Sequence, residues 1–230
     1  MPDVFTDDPP GSLAPVLTAA LLARVYALNL DYLELLVADC GRTPCTGQAR
    51  RLPAQLHPWI RTLSHAACDR LAASPFALYS LRFEDGLFWE QVGRDSKRTV
   101  MNLPVTQRYA CSAGPAIQAF CEVALLHAWH VSAVNRLSTR IVYAMPEATA
   151  ARLTQLTMWQ VKRLAVDHPD LLAPGWSAHP AFWRDLLRFA HMGDQVRLSA
   201  TKLLGTQLIA ATFGSPGTRG GRAQRPARQS

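Results

Sequence analysis

The stretch that decides the fold is VYALNLDYLELL, residues 25–36. Its apolar residues recur at helical spacing, although Asn29, Asp31 and Glu34 lie among them. Alternating steps of four and three residues are typical of a helix that packs lengthwise on another helix. We therefore predict a helix from about Pro15 to Asp39, with Asn29 and Asp31 off its packed seam or at the rim. The seam consists of Leu21, Val25, Leu28, Tyr32 and Leu35. The alternative is an ordinary core helix within its own domain.

The charge of the 230-residue chain is concentrated at its C-terminal end. The formal net charge is +7, and 49% of the residues are hydrophobic, which suffices for a sizeable core. Residues 214–230 contain Arg219, Arg222, Arg225 and Arg228 and no acidic residue. Without these four, 20 of the 24 basic residues remain against 17 acidic ones. That mild excess is not the pattern of a body covered with positive charge.

Cysteine usage and the first residues favour a cytoplasmic setting. Five cysteines, an odd number, predict free thiols in a reducing compartment. The opening MPDVFTDDPP is acidic and proline-rich, unlike a signal peptide. The longest apolar stretches carry charges or are short, so we predict no contact with a membrane.

Polar and proline-rich segments divide the chain into five parts. We predict a disordered N-terminus (1–12), a helical unit (13–92), a linker (93–114), a second helical unit (115–213) and a basic disordered tail (214–230). In the first unit, short helices begin at Pro53 and after Ser64, and ALYSLRF is a candidate short strand. The second unit begins with one long helix from Ala116 to about Tyr143. The predicted fold class is all-α.

Matching residues recur between the two units, which predicts a tandem repeat. At an offset of 93, Pro53 matches Pro146 and Leu71 matches Leu164. At an offset of 94, the pair Phe88–Trp89 matches the pair Phe182–Trp183. Trp is rare, so this match favours duplication over chance likeness of two helical stretches. We interpret both pairs as core residues, with an interface role as the alternative, because burial of such rings is itself stabilising.

Two motifs resemble those of a known family. Asn29, Leu30, Tyr32 and Leu33 fit the pattern Asn-Leu-x-Tyr-Leu, which resembles the long first helix of FlhD-like subunits of the flagellar master regulator. Residues 145–172 resemble the segment that follows in that family, with its pattern Leu-Thr-x-x-Gln-x-x-x-Leu-Ala. The matching residues are Leu156, Thr157, Gln160, Leu164 and Ala165. FlhD-like chains are about half this length, so two such units would be a fused pair.

The resemblance implies a function as well as a fold. It implies helical units that dimerise through the first helix, and one subunit of a bacterial heteromeric transcription activator. FlhD-like subunits act with an FlhC-like partner, which carries zinc and makes most of the DNA contact. Similar pairs activate transfer operons of conjugative elements. Here the seam would join two units as a pseudo-dimer within one chain, or two chains as a homodimer. The alternative function is a helical adaptor or chaperone of a secretion or conjugation system without a role at DNA.

A second candidate site is the run PEATAARLTQLTMWQVKRLA, residues 146–165, which has the length of a helix-turn-helix unit. Gln160, Lys162 and Arg163 are candidates for the outward face of its second helix, with Arg152 nearby for phosphate. The turn lacks Gly and Trp159 lies near the front of that helix, which argues against base reading. Salt-sensitive contact with DNA phosphates is the expected role of Arg219, Arg222, Arg225 and Arg228.

The sequence does not indicate catalytic chemistry. It contains no Gly-rich phosphate loop, no G-x-S-x-G and no H-E-x-x-H motif. Cys40 and Cys45 lack the spacing and the second matched pair of a zinc ribbon. His127 and His130 are one helical turn apart, but no further ligand follows in register. We expect no enzyme activity, no cofactor and no metal.

Overall fold

The computed structural model describes residues 16–41, 51–98, 114–177 and 179–214. These residues form ten α-helices and two strands of two residues each. The prediction of an all-α fold is therefore confirmed at the level of fold class. The predicted N-terminal segment 1–12 and the arginines of the predicted tail lie outside the described residues.

The first half of the described chain begins with its longest helix. The elements are α1 (Ala19–Cys40), α2 (His57–Arg61), α3 (His65–Ala72), β1 (Tyr79–Ser80) and α4 (Gly86–Arg98). Thr18 is the N-cap of α1 and Ser64 is the N-cap of α3. In each, the side-chain oxygen accepts a hydrogen bond from the backbone N–H three residues further along the chain. The predicted strand ALYSLRF contains β1. Helix α4 continues through Arg98, into the stretch where we predicted a linker.

The second half presents its elements in a similar order. They are α5 (Pro115–Val134), α6 (Arg136–Tyr143), α7 (Glu147–Leu153), α8 (Met158–Asp167), β2 (Ala173–Pro174), α9 (Pro180–Met192) and α10 (Gln195–Gly214). Short 3-10 turns precede α2 at Ala54–Leu56 and follow α8 at Pro169–Leu171. The unit boundaries given above stay predictions.

The prediction of one helix from Ala116 to Tyr143 was wrong. The chain leaves helical geometry at Asn135, where φ is −152° and ψ is 107°. The Asn135 side chain then accepts hydrogen bonds from the backbone N–H groups of Leu137 and Ser138. Asparagine competes with the helix by capping a new one, which ends α5 and begins α6.

We predicted that Asn29 lies off the packed seam or at its rim, and the rim position is wrong because the side chain is fully buried. Its amide nitrogen donates to the carbonyls of Ala72 and Phe76 at 3.2 and 2.9 Å, and its oxygen accepts from the Leu78 N–H at 2.8 Å. These bonds satisfy a polar group that would otherwise be costly to bury. Asn29 thereby fixes α1 to the end of α3 and to the segment that leads into β1. Asp31 is exposed, as predicted.

The two halves meet through one short antiparallel ladder. Tyr79 pairs with Pro174, and Ser80 pairs with Ala173. At the repeat offset of 94, Tyr79 corresponds to Ala173 and Ser80 corresponds to Pro174. In the ladder, each residue therefore pairs with the residue next to its own counterpart in the other half. Such a reciprocal pairing is the pattern of a twofold contact.

The halves also exchange helices. Helix α4 of the first half packs on α7 of the second, and α9 of the second half packs on α2 and α3 of the first. Between them, α1 packs on α3, α5 packs on α8, and α1 and α5 contact each other. Cross-half hydrogen bonds run from Ala77 N to Val142 O (2.8 Å) and from Thr149 Oγ1 to Phe83 O (2.9 Å). One continuous core results.

Candidate partner and nucleic-acid interface

The predicted seam lies mostly inside the chain. Val25, Leu28 and Tyr32 are 2%, 6% and 0% exposed, while Leu21 and Leu35 are half-buried. Their neighbours belong to the same polypeptide: the Tyr32 ring lies 5.6 Å from Tyr79 and 5.8 Å from Phe120 of α5, measured between centroids. Val25, Leu28 and Tyr32 are thus covered by residues of the same chain, whereas Leu21 and Leu35 stay partly accessible. The interface role of the seam stays a prediction.

The candidate helix-turn-helix is formed by α7 and α8. Thr157 caps α8 with a reciprocal box: its side chain accepts from the Gln160 backbone, and the Gln160 side chain accepts from the Thr157 backbone at 2.8 Å. Gln160 therefore has a structural role at the helix N-terminus. This capping box is the physical reason for the Thr-x-x-Gln spacing in the sequence.

The other three candidate DNA residues have contacts within the chain. Lys162 pairs with Glu122 of α5 at 3.1 Å, and Arg163 pairs with Asp167 at 3.3 Å. Arg152 points a guanidinium nitrogen at the Gly86 carbonyl, 3.5 Å away. All three are half-buried. Surface ion pairs of this kind contribute little to stability, so Lys162 and Arg163 can exchange their carboxylate partners for DNA phosphates. Within the chain, however, these carboxylates offset the positive charge of the two residues.

The structure also exposes large apolar side chains on α8 that the sequence analysis did not name as site residues. Trp159 is 81% exposed and Met158 is 54% exposed, both in the first turn of the helix. Single exposed apolar residues are ordinary, whereas an exposed Trp next to a Met is a typical contact point for another macromolecule. In the sequence, the one sign of this exposed apolar surface was the position of Trp159 near the front of its predicted helix.

A groove opens between α1 and α5. It has a volume of about 430 Å³ and is lined by Asp31, Glu34, Leu35, Ala38, Ala116, Ala119, Phe120 and Val123. Its floor is apolar and its rim carries two carboxylates. The lining contains no Ser, Cys, His or Lys that could act together with the two carboxylates. The groove therefore does not indicate covalent or acid–base catalysis.

A second groove of about 560 Å³ lies between α3 and α10. Lys202 reaches across it and donates to the carbonyls of Arg70 and Ala73, the latter at 2.7 Å. Burial lowers the pKa of Lys202 to about 8, whereas the two carbonyl acceptors favour its charged form. The ammonium group therefore caps the C-terminal end of α3 and ties α10 to it.

Buried hydroxyls form a small network where the halves meet. His127 Nδ1 is hydrogen-bonded to the Tyr143 hydroxyl, and the Tyr143 ring lies 6.3 Å from the Tyr79 ring, measured between centroids. Burial lowers the pKa of His127 to about 4, and the charges of Arg24 and His130 add to the shift. The imidazole is neutral at physiological pH. His127 is therefore a half-buried side chain with a structural role in the described fold.

The described ranges contain no cluster of three or more His, Cys, Asp or Glu side chains suited to hold a metal ion. Cys40, Cys68 and Cys121 are buried, and burial raises the pKa of Cys121 to about 12. One helix of the same ranges, α5, is long and apolar enough to cross a membrane, with a mean hydropathy of 1.2. The core helix of a soluble protein has the same properties, and 39% of its most apolar stretch is buried.

Comparison of the chain with protein-family models, curated proteins and solved structures gave no match.

Proposed function

We propose that this chain is one subunit of a heteromeric bacterial transcription activator, made of two FlhD-like units and acting with an FlhC-like, zinc-bearing partner that binds DNA. No catalytic step, cofactor or resident metal is part of the proposal. The chain would grip the partner and support its contact with a promoter.

The observation that carries the proposal is the reciprocal contact between the two halves. The ladder pairs Tyr79 with Pro174 and Ser80 with Ala173, and the long helices α1 and α5 meet beside it. A dimer of two identical helical units would have the same twofold pattern. Fusion of two such units in one chain is therefore the simplest account of the tandem order.

The residues that carry the resemblance have structural roles, which supports a shared fold rather than a chance motif. Asn29 clamps α1 to α3, and Tyr32 and Leu33 are fully buried beside it. Thr157 and Gln160 form the capping box of α8. Side chains with such specific partners are expected to mark a fold.

Contact with DNA would come mainly from the complex. In the described part of the chain, α8 offers Lys162 and Arg163 at a surface that also presents Trp159. Arg219, Arg222, Arg225 and Arg228 would add salt-sensitive attraction to phosphate. Replacing these four by Gln should reduce the steepness with which affinity falls as salt rises. Replacing four exposed arginines of the helices by Gln removes the same charge and is the matched control: Arg61, Arg184, Arg188 and Arg197.

The test is capture of the tagged full-length protein from its own host, with nuclease added to half of the sample, followed by native mass spectrometry. We expect a nuclease-resistant complex with a Cys-rich, zinc-containing protein. The purified complex should then bind specific promoter fragments, whereas this chain by itself should not.

Capture of secretion or conjugation components without a zinc protein would contradict the proposal and favour the adaptor function. Specific promoter binding by this chain without a partner would also contradict it. In that case α7 and α8 would act as a self-sufficient helix-turn-helix unit.

A further inference from the structure

Helices α1 and α5 lie side by side and antiparallel, and one side of the pair is open to solvent. The groove between them is lined by the C-terminal part of α1 and the N-terminal part of α5, where the Tyr32 and Phe120 rings lie 5.8 Å apart. At the far end, the Ser138 hydroxyl donates to the Val16 carbonyl. We define the α1–α5 face by its exposed residues, which are Ala20, Ala23, Arg24, Ala27, Asp31, Glu34 and Ala38 of α1, and Ala116, Ala119, Val123, His130, Ala133 and Val134 of α5.

The α5 part of this face contains no Asp, Glu, Lys or Arg. The only Asp, Glu, Lys or Arg in α5 is Glu122, which turns sideways to pair with Lys162. Val123 and Val134 are 54% and 72% exposed. Exposed apolar side chains gain free energy when another surface covers them.

The α1 part carries its charges in a self-complementary order. Arg24 lies towards one end and Asp31 and Glu34 lie towards the other, with alanines between and around them. In the part of the chain that the structure describes, none of these three charges has an ion-pair partner. A twofold axis that crosses α1 near Ala27 would bring Arg24 of each copy opposite Asp31 of the other.

The face is large enough for a stable contact. Its helices are about 20 residues long, so it extends for roughly 30 Å, and two neighbouring helices span roughly 20 Å. About 600 Å² on each copy would be covered, or about 1,200 Å² in total, at the lower end of stable protein interfaces. The small alanine side chains would let the two copies of α1 approach closely.

We propose that the α1–α5 face binds a second copy of this chain in a twofold contact, with Arg24 paired to Asp31 across the axis. On α1 this surface lies beside the buried seam of Val25, Leu28 and Tyr32, about 100° around the helix axis, so it adds a contact that these three residues do not supply. The inference is independent of the activator function, because it concerns only the assembly of the purified chain.

The test uses sedimentation equilibrium of the full-length protein and of two charge-reversal variants, Arg24→Asp and Asp31→Arg. The wild-type mass should approach twice 25.3 kDa as concentration rises. Each variant puts two like-charged pairs across the axis, which should weaken dimerisation roughly ten- to hundredfold. An equimolar mixture of the two variants restores both opposite-charge pairs, so it should form a heterodimer. Both positions are exposed, so the fold should be retained, which a thermal melt verifies.

Arg184→Asp, on exposed α9, is the matched control and should dimerise like the wild type. A wild-type monomer at every concentration, or single variants that dimerise as well as the wild type, would refute the proposal. A mixture that stays monomeric would refute the Arg24–Asp31 pairing. Monomeric protein that binds lipid vesicles through Val123 and Val134 would show that α5 meets a membrane instead.

Discussion

Arg82 and Trp176 share one rare backbone conformation at corresponding places in the two halves of the chain. Their φ angles are 53° and 59°, in the left-handed region that side chains other than glycine seldom adopt. Each residue lies between a short strand and the helix that carries a Phe-Trp pair. A conformation that costs about 1–2 kcal/mol persists in both places because the surrounding contacts enforce it.

Those contacts include a buried tryptophan in each half. The Trp89 indole donates to the Arg82 carbonyl at 3.0 Å, and the Trp183 indole donates to the Gly175 carbonyl at 2.6 Å. Trp89→Phe and Trp183→Phe each remove the donor and some volume, so each should lower the free energy of unfolding by about 1–3 kcal/mol. Urea unfolding measures both. The exposed Trp159→Phe should change stability by less than about 0.5 kcal/mol, and equal losses in all three would contradict the assignment.

Asn29→Leu should be severely destabilising even though it makes the core more apolar. The change leaves the Leu78 N–H and the Phe76 carbonyl without their partner, which costs about 3 kcal/mol or more. The Ala72 carbonyl loses one of two donors and keeps its bond from the Ser74 N–H. Chemical denaturation of the two proteins gives the difference. Asn135→Ala, which removes an exposed helix cap, should cost only about 1 kcal/mol. A smaller loss at Asn29 than at Asn135 would show that water replaces the buried bonds.

Two glycines in helices should respond to alanine with opposite sign. A Cβ at Gly205 would lie 2.8 Å from Phe76 Cζ and 2.9 Å from Phe182 Cζ, so Gly205→Ala should lower the free energy of unfolding by about 1–3 kcal/mol. A Cβ at Gly93 would meet its nearest atom, Arg152 Cδ, at 4.0 Å, so Gly93→Ala should raise it by about 0.5–1 kcal/mol. Thermal and urea melts give both values. A stabilising Gly205→Ala would place α10 farther from the two rings.

His127 should make the protein less stable as the pH falls from about 6.5 to about 4. Burial lowers its pKa to about 4 in the folded chain, whereas an unfolded histidine titrates near 6.5. The unfolded chain therefore binds a proton in this window that the folded chain does not bind. Above pH 6.5 the contribution is fully present, and it is lost on acidification. In His127→Phe, the free energy of unfolding should fall less steeply across the window, while the exposed His179→Gln should keep the wild-type slope.

The sequence was informative wherever the signal is periodic or local. The spacing of Val25, Leu28 and Tyr32 predicted the buried side of α1, and Ser64 predicted the start of α3. The burial of Asn29 could not be predicted, since its three partners lie 43 to 49 residues away. The left-handed turns at Arg82 and Trp176 were equally hidden, because neither residue is a glycine. For the candidate site, the basic residues of α8 could be named from the sequence. Their ion pairs within the chain and the open α1–α5 face could not be predicted, because both depend on how distant helices pack.

The exchange of α4 and α9 has a consequence for how the chain can be divided. Each half lends a helix to the other, so the midpoint of the sequence is not a boundary between independently folding pieces. A fragment that ends after α4 would lack the cover that α9 gives to α2 and α3, and the complementary fragment would lack α4 over α7. Either piece expressed singly should be insoluble. The two pieces produced together in one cell should reassemble without a covalent link.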